Sequence, residues 1–249
     1  MTQSVVVTGG GSGIGRAAAL RFAADGAKVV VADLNGDNAD AVVKQIISDG
    51  GTAVAVVGDL TDQAVVDRVV ATAVDTFGGL DVLVNNAGIA DSMSAAADVT
   101  DAEWQRVLAV DLTAPFLLTR AALPVMLAKG KGSIVFTISA AGLRGGAAGT
   151  AYTTAKHGLV GLTKSVAIMY RDAGIRANAI APGGTRTGIR VDLDPEAHGP
   201  RVVGPHQRHG VGRMAEPEEQ AAAIVFLASD AASNISGVVL PVDNGWAAI

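Results

Sequence analysis

Short, continuously apolar runs alternate along the chain with longer Ala-rich stretches of helix length. Apolar runs of four to eight residues without polar alternation are typical of strands buried on both faces of a sheet. Seven such runs are predicted as strands: SVVVTG, AKVVVAD, AVAVVGD, LDVLVNN, GSIVFTIS, IRANAIAPG and GVVLPVDNG. Because helix-length segments separate them, the strands need crossover connections. The pattern predicts an α/β fold with a doubly wound, seven-stranded, mainly parallel sheet and helices on both faces.

Polar residues and glycines follow the ends of the predicted strands. They are Thr8 and Gly9, Asp33, Asp59, Asn85 and Asn86, Ser139, and Pro182 and Gly183. Ligands of open α/β sheets bind beyond the carboxyl ends of the strands. We therefore expect the binding site at this edge of the sheet.

One segment interrupts the regular rhythm, at about residues 184–215, and it is rich in Gly, Pro, His and Arg. A loop of this length inside a compact domain is usually functional or mobile, so we expect a substrate lid. The chain has 249 residues and no internal repeat or linker. A single domain over residues 1–249 is therefore predicted.

The charge of the lid allows two interpretations. An excess of arginine favours an anionic substrate, whereas a solvated loop carries such charge without any role, and we prefer the second interpretation. The residues counted are Arg186, Arg190, Arg201, Arg208 and Arg213 against Asp192, Asp194 and Glu196.

Composition narrows the class of protein. A net charge of −5 argues against a nucleic-acid surface, and the absence of cysteine removes disulfides and thiolate chemistry. The N-terminus has no basic signal region, and no charge-free apolar run reaches the ~18 residues of a membrane span. We expect a cytoplasmic protein without a membrane partner. Two long apolar helices, at about 103–128 and 152–170, predict homo-oligomerisation.

The stretch TGGGSGIGRAAAL, residues 8–20, follows the first strand and begins a helix. Gly9, Gly13 and Gly15 allow a tight turn and close approach of a ligand, and the helix N-terminus directs free N–H groups at an anion such as a pyrophosphate. Ser12 and Ile14 lie within the same turn. The turn is typical of a Rossmann-type dinucleotide-binding fold, although a tight structural turn would look similar.

Asp33 ends the second strand, 18 residues after Gly15, and Leu34 follows it. This offset suits a carboxylate that accepts hydrogen bonds from the adenosine ribose. A carboxylate there repels a 2′-phosphate, and no Arg or Lys within residues 9–15 or just after Asp33 attracts one. NAD is therefore predicted rather than NADP; the alternative is that Asp33 only caps a helix or is solvated.

Tyr152 and Lys156 lie four residues apart in AYTTAKHGL, a segment predicted to be helical. Side chains at this spacing share one face of a helix. By itself the pair is found on many solvated helices. In context, a nearby ammonium favours the phenolate of a tyrosine, whose ordinary pKa of ~10 makes it a poor base near neutrality.

Together the motifs resemble the short-chain dehydrogenase/reductase family in its compact single-domain form. The resemblance covers nearly the whole chain and rests on the glycine spacing, NNAG at 85–88, Ser139 thirteen residues before Tyr152, and Tyr152-x-x-x-Lys156. It implies that Tyr152 is the acid/base, that Lys156 supports it and orients the nicotinamide ribose, and that Ser139 holds the substrate oxygen. It also implies a homotetramer.

The resemblance further assigns positions around the cofactor. Asp59 and Leu60 match positions flanking the adenine, and Asn86, Ala87 and Gly88 match positions lining the adenosine ribose and the centre of the sheet. The family positions around the nicotinamide are matched by Pro182, Gly183, Thr185 and Thr187. Thr185 replaces the usual hydrophobic residue, and VDNG at 242–245 replaces the commoner Val-Asp-Gly-Gly.

The clearest departure is Asp111, at a position that the family usually fills with an active-site asparagine. In the family that residue is associated with a helix irregularity whose free carbonyl holds a water leading to the lysine. Pro115 has no N–H for the carbonyl of Asp111, so this carbonyl is expected to be free whatever the side chain at 111.

The predicted function is hydride transfer between NAD and a secondary alcohol or ketone. The alternatives are reduction of 3-oxoacyl thioesters and a non-catalytic NAD-binding regulator. His198, His206 and His209 lie in the lid without a convincing further ligand, so no metal site is predicted. His157, beside Lys156 in sequence, is assigned no role.

Overall fold

In the computed structural model, which describes residues 3–189 and 191–248, the seven predicted strands form one sheet in the order β3-β2-β1-β4-β5-β6-β7. Every pairing is parallel. The strands are β1 Ser4–Thr8, β2 Lys28–Asp33, β3 Thr52–Val57, β4 Val82–Asn85, β5 Gly132–Thr137, β6 Ile175–Pro182 and β7 Val239–Val242. The strand order reverses between β1 and β4, which places a crevice there.

Helices cover both faces of the sheet, as the apolar pattern predicts. They are α1 Gly13–Ala24, α2 Gly36–Ser48, α3 Gln63–Phe77, α4 Asp101–Leu108, α5 Ala114–Lys129, α6 Thr150–Tyr170, α7 His198–Gly210 and α8 Pro217–Ala228. Val6 faces a core shared with α3, α5 and α6, whereas its neighbours Val5 and Val7 face a core shared with α1, α2 and α8. Both faces of each central strand are thus buried, which explains its continuous apolar run.

The predicted helix at 103–128 is interrupted. Between α4 and α5, residues Ala109–Thr113 form a π-helical turn, in which the N–H of Ala114 bonds the carbonyl of Ala109 five residues back. Pro115 follows immediately and offers no N–H to the carbonyl of Asp111. The helix irregularity expected around residue 111 is therefore present, and π-turns of this kind are frequent at functional sites.

The continuous stretch 101–129 is long and apolar enough to cross a membrane by length and composition alone. Leu118, Ala122 and Met126 of this stretch are buried in the protein core. Core helices of soluble proteins pass the same test, so this stretch is weak evidence for a membrane span.

The segment 184–215 is more ordered than the expected loop, since α7 lies within it. The two ends of the segment meet: Arg186 donates its N–H to the carbonyl of Ala215 at 2.9 Å, and Ala215 donates to Gly184 at 2.8 Å. The segment thus forms a loop whose two ends are joined by two strand-like hydrogen bonds, and its role as a substrate lid stays a prediction. Arg190 lies outside the described residues.

Candidate functional site

A cleft with a cavity volume of about 440 Å³ opens at the carboxyl ends of β1, β4, β5 and β6. The sequence-predicted residues that line it are Gly9, Ser12, Gly13, Ile14, Asn86, Ala87, Gly88, Ser139, Tyr152, Lys156, Pro182, Gly183, Thr185 and Thr187. The structure therefore brings together residues from four strand ends and from α6. Gly15, Asp33, Leu34, Asp59, Leu60 and Asp111 are not in its lining and lie behind or beside it.

The Gly-rich turn places backbone against backbone. A Cβ on Gly15 would lie 2.1 Å from the carbonyl oxygen of Gly9, and Gly9 and Gly13 have φ values of +60° and +50°. Only glycine fits such a turn without strain. Ser12 precedes α1 without capping it through its side chain, so the first N–H groups of α1 have no intrahelical partner. These donors fit a dinucleotide pyrophosphate.

Thr8 and Asn86 brace this turn from below. The Thr8 hydroxyl accepts hydrogen bonds from the N–H groups of Asn86 and Ala87 at 2.9 and 3.0 Å and donates to the carbonyl of Val84. The Asn86 amide donates to the carbonyl of Thr8 at 3.0 Å. The side chain of Asn86 therefore holds β1 to β4, and its direct contact with an adenosine ribose remains a prediction.

Asp33, Leu34, Asp59 and Leu60 lie at the neighbouring edge of the sheet, after β2 and β3. The carboxylate of Asp33 accepts hydrogen bonds from the N–H groups of Gly11 and Asn35 at 2.8 and 2.9 Å. It shapes the turn and the start of α2, while its remaining lone pairs can accept from a ribose. Leu34 is 72% exposed beside it, an apolar surface suited to a flat base.

Tyr152 and Lys156 share one face of α6, which lies across the cleft. The Lys156 Nζ lies 5.2 Å from the centre of the Tyr152 ring and donates a hydrogen bond to the carbonyl of Thr137 at 3.3 Å. Burial raises the pKa of Tyr152, while Lys156 and the hydroxyl of Ser139 oppose that rise. Ser139 itself caps a short 3₁₀ turn by accepting from the N–H of Ala141.

Asp111 is completely buried against Lys156. Its Oδ1 lies 3.4 Å from the Nζ of Lys156 and accepts the N–H of Ile89 at 3.0 Å. Burial raises the pKa of Asp111, and the charge of Lys156 opposes this rise. The donors that the buried carboxylate needs are thus a backbone N–H and the lysine.

Asp91 is a residue of the site that sequence reasoning missed. Its carboxylate accepts the N–H groups of Gly149 and Tyr152, at 3.1 and 3.0 Å, and so caps α6 from a loop that is distant in sequence. The N–H of Met93, a residue with φ of +57°, also bonds Asp91. A negative charge at a helix N-terminus is stabilising. A polar residue soon after NNAG was the signal available in the sequence.

The two departures from the family pattern near the nicotinamide positions both have structural explanations. The Thr185 hydroxyl donates to the carbonyl of Gly183 and accepts from the amide of buried Gln220, each at 3.3 Å. Asn244 takes φ of +57°, a left-handed conformation that asparagine tolerates, so the turn in VDNG forms. Asp243 stabilises this turn by accepting the N–H of Gly245 at 3.0 Å.

The substrate side of the cleft is mainly apolar. Its lining includes Ala90, Met93, Ala147, Ala148, Val211, Met214 and Trp246. Trp246 comes from the C-terminal turn and packs against Gly210 of α7, where a Cβ would overlap its indole ring. The predicted lid and the C-terminal turn therefore form this wall together with the loop after β4 and the loop before α6.

The described lid arginines do not line the cleft. Arg186 pairs with Glu216 at 2.9 Å. A hydrogen bond from Arg213 lowers the pKa of Glu219 to about 2. These partners lie just beyond the segment whose charge was counted, and they favour the interpretation that the arginines are solvated or paired. Among the described residues no group of three or more His, Asp or Glu could hold a metal ion.

Comparison with known proteins agrees with this geometry. A family model described as enoyl-(acyl carrier protein) reductase matches residues 9–247. The 3β-hydroxysteroid dehydrogenase 2 of Eggerthella lenta is 42% identical over 248 residues, which cover 99% of this chain and 95% of that protein. The cis-4-hydroxycyclohexanecarboxylate dehydrogenase of Sinomonas cyclohexanicum is 42% identical over 244 residues, covering 98% and 96%.

A solved structure from Beutenbergia cavernae is also similar. It is described as an NAD(P)-dependent gluconate 5-dehydrogenase with bound NADP at low occupancy. Its sequence is 40% identical, its TM-score is 0.86, and the match covers 99% of this chain and 97% of that one.

Proposed function

Because the chain belongs to the short-chain dehydrogenase/reductase family, we propose that it is an NAD-dependent oxidoreductase acting on a secondary alcohol or ketone through Ser139, Tyr152 and Lys156. Two of its relatives are, by name, dehydrogenases that act on hydroxyl groups. The observation that carries the proposal is the phenol of Tyr152 in the cleft with the Lys156 ammonium 5.2 Å from its ring.

The reaction divides between the cofactor and the chain. A bound nicotinamide would accept the hydride from the carbinol carbon, or donate it to the carbonyl carbon. During oxidation Tyr152 takes the hydroxyl proton while the C–H electron pair leaves as hydride and a C=O bond forms; during reduction it returns the proton. Lys156 favours the phenolate, and Ser139 hydrogen-bonds the substrate oxygen.

The preference for NAD is supported by Asp33. Its carboxylate lies 2.8 Å from the N–H of Gly11, where a 2′-phosphate would meet negative charge. Arg16, the cation nearest in sequence to the turn, donates to Gln45 at 2.8 Å. A similar structure of 40% sequence identity holds NADP at low occupancy. The preference is therefore tested by comparing kcat/KM for NAD and NADP.

A neutral cyclic alcohol or ketone is the substrate class that we propose. The substrate wall is apolar, and the described lid arginines lie outside it. Two relatives, by name, act on hydroxyl groups of a steroid and of a cyclohexane ring. An extended 3-oxoacyl thioester is the alternative within the family, and a non-catalytic NAD-binding regulator is the alternative outside enzyme chemistry.

We also propose a cytoplasmic homotetramer without nucleic-acid or membrane partners. Exposed apolar side chains on the outer helices support association, among them Phe116 at 43% and Met169 at 73% exposed. Light scattering at micromolar protein concentration tests this, since a monomer would contradict it.

The experiment for the function follows NADH absorbance with a panel of cyclic and linear alcohols and ketones. Tyr152→Phe should lower kcat by about 10² to 10⁴ because it deletes the acid/base, while NADH binding, measured by fluorescence, persists. Tyr170→Phe is the matched control, since Tyr170 is the only other tyrosine. Full turnover by Tyr152→Phe would contradict the mechanism. Binding of NADH without turnover of any tested compound would favour the regulator.

A further inference from the structure

We infer that Asp111 is a positioning residue whose carboxylate competes with the Tyr152 phenolate for the charge of Lys156, and so keeps Tyr152 in its proton-donating form at neutral pH. This deepens the proposed function and rests on the acid/base role given to Tyr152. The inference concerns the side chain of Asp111, separately from the carbonyl that Pro115 leaves free.

The first observation is the geometry of the pair. Asp111 Oδ1 lies 3.4 Å from the Nζ of Lys156, with the two side chains 0% and 3% exposed. The same ammonium faces the Tyr152 ring at 5.2 Å from its centre. The buried Lys156 ammonium therefore faces two groups that can carry a negative charge, the Asp111 carboxylate and the Tyr152 phenolate. Water, which would screen the competition at the surface, is largely excluded from a pair so deeply buried.

The second observation is that the surrounding backbone keeps Asp111 in contact with the lysine. The N–H of Ile89 donates to Oδ1 at 3.0 Å. A Cβ on Gly88 would lie 2.5 Å from that oxygen and 3.3 Å from the Lys156 Nζ. The glycine leaves the space that the pair occupies, and the carboxylate has little freedom to turn away.

The third observation concerns the other oxygen. Asp111 Oδ2 is buried and has no hydrogen-bond partner among the described residues. An asparagine would place either its carbonyl oxygen or its NH₂ group there and would carry no charge. Aspartate at this position therefore changes the electrostatics of the site, whereas the bond from Ile89 could be made by either residue.

The charged groups around Tyr152 act in opposing directions. Burial raises the pKa of Tyr152, Lys156 lowers it, and Asp111 raises it again, with a further rise from Asp91. Burial lowers the pKa of Lys156, but its two partners Asp111 and Tyr152 outweigh burial, so the lysine stays charged. These four residues, from the loop after β4, the π-turn and α6, are the titratable groups in this arrangement.

A protonated phenol is the form required for ketone reduction, and a phenolate is the form required for alcohol oxidation. By disfavouring the phenolate, Asp111 shifts the pH range of alcohol oxidation upward relative to the same site with asparagine at 111. Near neutrality it keeps the proton on Tyr152, where ketone reduction uses it.

The test titrates Tyr152 directly, without substrate. In a Tyr170→Phe background Tyr152 is the only tyrosine, so its ionisation can be followed by tyrosinate difference absorbance in the cofactor-free protein. Asp111→Asn should lower the titration midpoint by about one pH unit. Asp98→Asn, an exposed carboxylate in the loop before α4, is the matched control and should leave the midpoint unchanged.

A second arm tests whether Lys156 mediates the effect. In a Lys156→Met background Asp111 loses its cation and is expected to become neutral, so Asp111→Asn should no longer move the midpoint. If Asp111→Asn does not fold, Asp111→Ser replaces it in both arms. An unchanged or raised midpoint in the neutral variant with Lys156 present would overturn the inference.

The kinetic counterpart separates this inference from the proposed function. With an active alcohol substrate, the ascending limb of kcat/KM against pH should move down with the titration midpoint, and kcat at the optimum should change by less than about tenfold. A shifted midpoint without turnover of any tested substrate would contradict the function and leave the inference standing. A shifted midpoint with an unshifted kinetic limb would show that Tyr152 is not the group that limits oxidation, and would overturn the claim that Asp111 sets the pH range of oxidation.

Discussion

The cleft has two walls that are built differently. The cofactor wall is residues 8–15 with Asn86, and the substrate wall combines the predicted lid and the C-terminal turn with the loops after β4 and before α6. In the cofactor wall one short segment brings backbone to within contact distance of backbone, as at Gly9 and Gly15. In the substrate wall, side chains such as Met93, Met214 and Trp246 come from three distant segments. A backbone surface can be changed in few ways, whereas a wall of side chains can change residue by residue. This difference lets one cofactor serve many substrates.

The largest effect is expected in the cofactor wall, for Gly15→Ala. The added Cβ would lie 2.1 Å from the Gly9 oxygen, so the turn must shift. At about 1–3 kcal/mol for such overpacking, NADH affinity should fall roughly tenfold to a hundredfold, as measured by fluorescence titration.

The control is Gly161→Ala on α6, where a new Cβ meets no atom within 4 Å. It should leave NADH binding intact and raise the free energy of unfolding by up to about 1 kcal/mol. Equal NADH affinity in the two variants would show that the turn is not the cofactor wall.

The next largest effect is expected for Asp91→Ala. Asp91 holds the start of α6, and α6 lies across the cleft between the two walls. Removing the carboxylate leaves the N–H groups of Gly149 and Tyr152 without their acceptor. We expect a loss of about 1–3 kcal/mol in the free energy of unfolding, and about tenfold in kcat as Tyr152 moves.

Asp91→Asn keeps one acceptor oxygen and should restore most of the stability. Asp98→Ala, in the same loop but exposed, serves as the control for both measurements. If Asp91→Ala unfolds at the same temperature as the parent protein, the cap contributes nothing to holding α6.

Asp33→Ser tests the side chain beside the cofactor wall that we propose selects NAD. Loss of its charge should reduce the ratio of kcat/KM for NAD over NADP by about tenfold, since a serine no longer repels a 2′-phosphate. Asp37→Ser, at the exposed start of α2, should leave the ratio unchanged. Parity of the two cofactors in the parent protein would refute the preference for NAD.

The smallest effect is expected in the substrate wall, for Trp246→Leu. A smaller side chain should raise KM for a bulky cyclic substrate about fivefold, near 1 kcal/mol of lost apolar contact, with little change for a small linear alcohol. Phe226→Leu, on the exposed face of α8, is the control. Equal KM changes for large and small substrates would indicate a general loss of lid order.

Much of the cofactor wall could be predicted because its information is local. The five central runs, which form β1, β2, β4, β5 and β6, are buried on both faces, and their continuous apolar pattern identified them as strands. The edge strands β3 and β7 are more exposed but carry similar short apolar runs. The turn glycines lie within seven residues of one another, and Tyr152 and Lys156 lie one helical turn apart. At such short separations the backbone geometry of a turn or helix follows directly from residue type and spacing.

The tertiary structure alone decided the contacts between distant segments. The sequence shows a polar residue soon after NNAG, but not that this residue, Asp91, caps α6 by accepting the N–H of Tyr152, 61 residues further along the chain. Nor does the sequence reveal that Asp111 turns its carboxylate to Lys156, or that Trp246 reaches the lid. Such contacts depend on how the crossover connections return to the sheet and on which loops meet at its edge. Neither of these leaves a periodic pattern of residues in the sequence. Chain pattern thus determined the sheet and the chemistry-bearing residues, while packing decided their electrostatic partners and the substrate wall.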